Sequence, residues 1–148
     1  MKPGLGVTRE AIQGVFEQAD MGFTFQESPP LKGKPRTLGT SPNGLTHIEL
    51  VGHPSNLSLI TMLAGTPSDS YQANVLNSIW VLGLLTHLVP DWIGADGWLT
   101  TSAYQIANGA GEQSITQHYR FAISPVLPFG FTLTVRPPKP PKRSKGFG

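Results

Sequence analysis

Two histidines and a glutamate lie close together near the middle of the chain. His47 and Glu49 are two residues apart in a segment that alternates like a strand, so their side chains project from one face, about 7 Å apart. His53 follows just past that segment, where Gly52 can bend the chain back. Two imidazoles and a carboxylate suit zinc or non-haem iron. The sequence therefore makes these three residues a candidate metal site, with an ordinary solvated sheet face as the alternative.

Polar side chains that alternate with apolar ones form a second candidate surface late in the chain. His118 and Arg120 occupy the polar side of one predicted strand, and Thr132 and Thr134 the polar side of the next. If these strands neighbour the strand that carries His47, the polar residues share one face of a sheet. We therefore treat His118 and Arg120 as candidate partner-binding residues, with plain exposure to solvent as the alternative.

Three tryptophans fall within nineteen residues, around the junction of two predicted helices. Exposed aromatic side chains are frequent anchors for protein partners. Trp80, Trp92 and Trp98 are therefore candidate partner-binding residues. The alternative is that they pack the helices onto a sheet, which we favour for Trp80 and Trp98, whereas we expect Trp92 to be partly exposed.

The chain has no recognisable catalytic set. It contains no cysteine, which excludes a thiol nucleophile, a disulfide and a cysteine-based zinc site. It has no Gly-x-Ser-x-Gly elbow, and its nine acidic residues are scattered, several of them at predicted helix ends. We therefore lean towards a protein that is not an enzyme, and we predict no cofactor.

The positive charge of the chain is concentrated near its end. The 148 residues include 11 bases and 9 acids, a formal charge of +2. Five bases follow Val135, which leaves six bases against nine acids and a net charge of −3 for residues 1–135. Residues 137–148 are proline-rich and have nothing to bury, which predicts a disordered basic tail. Its bases can contact nucleic acid or another anionic surface, and they are Lys139, Lys142, Arg143 and Lys145.

Hydrophobic periodicity predicts one α+β domain over residues 1–136. A helix over about 9–18 precedes strands near residues 23–26, 36–40, 45–51 and 57–64. Two helices follow, over about 70–88 and 97–108, and then strands over 114–123 and 130–136. The order α-β-β-β-β-α-α-β-β predicts an antiparallel sheet of about 5–6 strands with helices packed on one face. This order is similar to that of two-layer folds of the TATA-binding-protein-like or helix-grip kind.

These features favour a non-catalytic interaction or assembly module. It would bind a protein partner, or form a homo-oligomer, through the aromatic helical layer or the exposed sheet face. One alternative is a metal-dependent enzyme or ligand binder that uses His47, Glu49 and His53. The other is contact with nucleic acid or an anionic surface through the tail.

No apolar segment of the chain fits a membrane span, and none at the N-terminus fits a secretory signal. The longest run, residues 79–89, is well below the ~20 residues that cross a bilayer, so we expect no transmembrane segment. Polar residues Arg9 and Glu10 follow the first eight residues at once, which does not fit the apolar core of a signal peptide. We therefore expect a cytoplasmic protein, or an exported one whose signal has been removed.

Overall fold

The computed structural model describes residues 4–18, 21–65, 71–126 and 130–138, with side chains from residue 78 onward in the second helix. This part of the chain forms three helices and seven strands. Their order is α1 (Arg9–Glu17), β1 (Thr24–Leu31), β2 (Lys34–Thr40), β3 (Thr46–His53), β4 (Asn56–Gly65), α2 (Tyr71–Leu88), α3 (Ala95–Ala107), β5 (Gln113–Gln117), β6 (Tyr119–Val126) and β7 (Gly130–Arg136).

The strands form one antiparallel sheet in the order β1-β2-β3-β4-β7-β6-β5. The first four strands make one meander, and the last three make a second meander whose final strand returns to pair with β4. The two long helices, α2 and α3, connect the middle of the sheet to its far edge. The predicted α+β class and antiparallel sheet are confirmed, but the sheet has seven strands rather than about 5–6.

The additional strand comes from a reversal at His118. Periodicity predicts one strand over residues 114–123, but the chain turns back at His118, which has a φ of 63°. Gln117 pairs directly with Tyr119 across this single turn residue, so residues of the same parity face each other on the two strands. The apolar alternation therefore continues through the turn without a break, which is why the pattern resembles one long strand.

Several prolines lie inside strands, although proline usually interrupts them. Pro29 and Pro30 belong to β1, an edge strand, whose register shifts between Ser28 and Leu31. A proline on an edge strand removes no ladder hydrogen bond when its nitrogen faces solvent. Pro125 lies near the end of β6, beyond the last pair that β6 makes with β5, at Ile123. The strands thus tolerate proline where one neighbouring strand is missing.

The hydrophobic core lies between one face of the sheet and the three helices. Thr8 caps α1 by accepting a hydrogen bond from the Ala11 N–H, and the helix buries Ile12 and Phe16 completely. In α2, Ile79 is 51% exposed, so it lies on the side of the helix that faces away from the core. The core residues of α2 and α3 include Trp80, Val81, Leu84, Leu85, Leu88 and Leu99. The strand residues beneath them include Ile48, Leu50, Ile60, Met62, Phe121, Ile123, Leu133 and Val135.

The sequence also predicts that the chain has no transmembrane segment and that it ends in a basic tail. Within the described part of the chain, no helix combines the length and the hydropathy that a membrane crossing requires. The tail bases Lys139, Lys142, Arg143 and Lys145 lie outside the described residues, so the tail stays a prediction.

A bulge at Gly52 shifts the register between β3 and β4. The pairing moves from Val51 opposite Leu59 to Gly52 opposite Leu57. Gly52 has a φ of 116°, in a region that side chains disfavour, and a Cβ there would lie 2.6 Å from the Ser58 backbone nitrogen. Glycine is therefore required at this position to form the bulge.

We expect Gly52→Ala to lower the free energy of unfolding by about 2–3 kcal/mol, because it adds both backbone strain and a clash with backbone. Urea unfolding followed by circular dichroism measures this loss. Gly14→Ala is the matched control: no atom lies within 4 Å of its added Cβ, and alanine favours the helix by up to about 1 kcal/mol. An equal loss in both variants would contradict the account of Gly52.

Candidate functional site

One face of the sheet carries no helix in the part of the chain that the structure describes. The helices all pack against the opposite face, and the side chains on this second face are mostly half-buried. We call this surface the open face and define it by three rows that cross β2, β3, β4, β7, β6 and β5. The first row is Thr40, His47, Leu63, Thr132 and Ser124; the middle row is Leu38, Glu49, Thr61, Thr134, Ala122 and Ser114; the third row is Arg36, Val51, Leu59, Arg136, Arg120 and Thr116.

The open face brings together most of the polar residues that the sequence analysis places on one surface. His47 and Glu49 come from β3, Thr132 and Thr134 from β7, and Arg120 from β6. The sheet order places β7 beside β4, so the early and late halves of the chain share one surface. His118 does not belong to this surface, because it is the exposed turn residue between β5 and β6.

The three candidate metal ligands have other partners. His47 Nδ1 lies 3.3 Å from Thr40 Oγ1 on the neighbouring strand. His53 Nδ1 accepts a hydrogen bond from the Ser55 N–H within the turn that follows β3. Among the residues that the structure describes, no cluster of three histidine, aspartate or glutamate side chains is arranged to hold a metal ion. The structure therefore does not assemble His47, Glu49 and His53 into the expected centre.

Glu49 instead forms an ion pair with Arg36. The Arg36 Nε lies 2.9 Å from a Glu49 carboxylate oxygen, and both side chains are about one quarter exposed. The Nε–H does not point at the carboxylate with hydrogen-bonding geometry, so the contact is an ion pair without a hydrogen bond. Because the pair is partly solvated, we expect it to stabilise the fold by no more than about 1 kcal/mol.

The tryptophans form part of the core. Trp80 is only 5% exposed, and its ring contacts the Phe23 ring in an edge-to-face arrangement. Trp92 and Trp98 are half-buried, 5.6 Å apart between ring centroids, and both contact the fully buried Phe121. The prediction that Trp92 is partly exposed is confirmed, but its ring packs on the sheet. The most exposed apolar side chain in this region is its neighbour Ile93, at 98%.

Positive charge is concentrated in one row of the open face. Exposed carboxylates lie on the helices and the loop between them, at Glu10, Glu17, Asp91 and Asp96, whereas Glu49 lies on the open face and Glu112 just before β5. The third row of the open face carries Arg36, Arg120 and Arg136. Lys32 and Lys34 lie next to it, around a hollow that they share with Arg136. Arg36 and Arg136 were not candidates in the sequence analysis, because only the order of the strands brings them beside Arg120.

A hollow on the open face lies over β5, β6 and β7. Its volume is about 580 Å³. Arg120, Arg136, Thr116, Ala122 and Ser114 are among the residues that line it. This volume is within the range of small-ligand sites.

In comparisons with known proteins, no family model matches the chain, and no curated protein or solved structure matches it. Its function is therefore inferred from the surfaces of this chain alone.

We expect Phe121→Ala to lower the free energy of unfolding by about 3–5 kcal/mol, because Phe121 is fully buried beneath Trp92 and Trp98. Denaturant unfolding followed by tryptophan fluorescence measures this change. Ile93→Ser is the control, since it also removes a large apolar side chain but from an exposed position, and we expect a change below about 0.5 kcal/mol. A large loss of unfolding free energy in the Ile93 variant would show that the Ile93 side chain is packed rather than exposed.

Proposed function

We propose that this protein is a non-catalytic binding module whose open face binds a protein partner with acidic residues. The observation that carries the proposal is that a broad sheet face, with half-buried leucines among its polar residues and arginines along one row, is covered by no described element. Antiparallel sheets are commonly solvated on one side, so exposure alone does not identify a binding surface. The composition of this face supports the proposal.

Apolar side chains are interspersed with the polar residues of the open face. Leu38, Leu59 and Leu63 are half-buried and lie on β2 and β4, and Ala122 lies on β6. Val51 is 2% exposed, although it does not belong to the core under the helices, so neighbouring side chains on the open face cover it. Protein interfaces combine apolar side chains with polar ones and are enriched in arginine.

The charge of the open face favours an acidic partner. Arg120 and Arg136 have no carboxylate within ion-pair distance in the described ranges, whereas Arg36 is paired with Glu49. Lys32 and Lys34 add two further positive charges beside the same row. Complementary charge on a partner would speed association and fix its orientation on the sheet.

The helical layer is a weaker candidate than the open face. Trp80 is part of the core, and Trp92 and Trp98 pack against it, so these rings are already engaged. Among the side chains of this layer that the structure describes, the large exposed apolar ones are Ile79, Ile93 and Tyr104, which lie on three different segments. A symmetric homo-oligomer through the open face is also less favoured, because it would place the arginine-rich surface of one copy on the same surface of another.

Nucleic acid is also a weaker candidate for the open face. Proteins that bind single strands on a sheet stack the bases on aromatic side chains. None of the open-face positions defined above carries phenylalanine, tyrosine or tryptophan. The basic tail remains the alternative route to nucleic acid, as the sequence analysis expects.

Two further expectations accompany this proposal, one on the kind of fold and one on the cellular compartment. The element order and the one-sided helical layer support the likeness to two-layer folds of the TATA-binding-protein-like or helix-grip kind. The cytoplasm is the expected compartment, with export as the alternative. Neither expectation alters the surface on which binding should occur.

We expect Thr61→Glu to weaken partner binding at least several-fold. Thr61 lies on β4 in the middle row of the open face, directly opposite Glu49, so a new carboxylate there repels an acidic partner. The probe is a synthetic peptide of alternating glutamate and leucine residues, and its affinity is measured by fluorescence anisotropy at low and moderate salt.

Gln105→Glu is the matched control, because it adds the same charge at an exposed position of α3 on the helical side. We expect this variant to bind the peptide as the unchanged protein does. Equal weakening in both variants would show that the peptide does not bind at the open face, or that its binding depends only on the overall charge of the protein. A dimer seen by light scattering and disrupted only by Thr61→Glu would replace the acidic partner with a second copy.

A further inference from the structure

We propose that Arg120, Arg136 and Thr116 form a binding site for a phosphate group, in the hollow over β5, β6 and β7. The site goes beyond the proposed function, since a small dianion can bind there whether or not a protein covers the rest of the open face.

The two arginines are directly opposed across neighbouring strands. Arg120 on β6 pairs with Arg136 on β7, and both alternate with buried residues, so their side chains project from the open face. Directly opposed residues in an antiparallel pair have Cβ atoms about 5 Å apart, where like charges repel each other. An anion between the two guanidinium groups would remove that repulsion.

Backbone and side-chain hydrogen bonds hold the two guanidinium groups but leave donors free. Arg120 Nε donates to the Pro137 carbonyl oxygen at 2.8 Å, and its two terminal nitrogens have no hydrogen-bond partner among the described residues. Arg136 Nη1 donates to Thr134 Oγ1 at 3.1 Å, and the other nitrogens of that group likewise have none in the described ranges. Both side chains are thus oriented before a ligand arrives, and planar guanidinium groups suit oxyanions with two hydrogen bonds each.

The surroundings of the pair favour an oxyanion. Thr116 lies directly opposite Arg120 on β5 and adds a hydroxyl donor to the same row. The small residue Ala122 also lines the hollow. Glu112 borders the hollow too, and its carboxylate accepts a hydrogen bond from Ser124. Ser124 is four residues along β6 from Arg120, about 13 Å between their Cα atoms, so this hydrogen bond holds the carboxylate towards the other end of β6.

Charge balance favours phosphate over carboxylate. Two guanidinium groups carry two positive charges, and a phosphate monoester carries about −1.5 to −2 at pH 7. A single carboxylate would neutralise only one of them. Lys139 follows Pro138, which borders the hollow, so the sequence continues with further positive charge.

The test is a titration of the full chain with inorganic phosphate at constant ionic strength, followed by amide chemical shifts. We expect saturable shifts centred on residues 116, 120 and 136. Phosphate binding should weaken as the pH falls through the second pKa of the ligand, whereas binding of sulfate, which stays a dianion, should not change. Phosphoserine in a short peptide and inorganic phosphate are compared: tighter binding of the peptide identifies a phosphorylated chain as the source, and equal binding identifies free phosphate.

Arg136→Gln should weaken phosphate binding at least tenfold. Lys34→Gln removes the same charge from the neighbouring hollow and should change the affinity less than twofold. Thr116→Val, on an exposed strand position, tests the hydroxyl separately and should weaken binding a few-fold. Shifts that do not saturate, or equal weakening by the Arg136 and Lys34 variants, would overturn the site and leave only general attraction of anions. Neither result depends on whether the Glu–Leu peptide binds.

Discussion

The structure depends on a single layer of helices that covers only one face of a seven-stranded sheet. Strand residues alternate between the two faces, so the buried layer and the open face are determined together. Because α2 and α3 connect β4 to β5 over the covered face, most of their described apolar residues are used in the core. The opposite face keeps its polar residues and three half-buried leucines. Burial on one side therefore leaves the open face uncovered by any described element.

Much of this fold is predictable from hydrophobic periodicity. The order of the first seven elements and the approximate positions of the three helices follow from the sequence. The missing strand does not, because the reversal at His118 keeps residues of equal parity on one face and leaves no gap in the pattern. Likewise, α2 is apolar on nearly all sides, so periodicity could not show that Ile79 faces solvent. These errors arise where the pattern is compatible with two geometries.

The candidate site was less predictable, because its residues meet through strand order. The spacing of His47 and Glu49 correctly places both on one face, but it contains no information about Arg36 and Thr40, which engage them from β2. Arg136 looks like the start of a basic tail in the sequence. Only the pairing of β6 with β7 makes it the neighbour of Arg120. Overall charge is similarly uninformative, since a mildly acidic domain still has a basic row on one face.

The two prolines of β1 have a consequence for how this molecule can assemble. Unpaired backbone groups at the edge of a sheet can template further strands, which leads to polymerisation. At one border Pro29 and Pro30 lack the N–H donors that such growth requires, and their register is irregular. At the other border β5 is only five residues long. Both edges of the sheet thus resist edge-to-edge pairing into fibrils. A molecule with a broad solvated sheet can therefore avoid polymerisation while its face remains open.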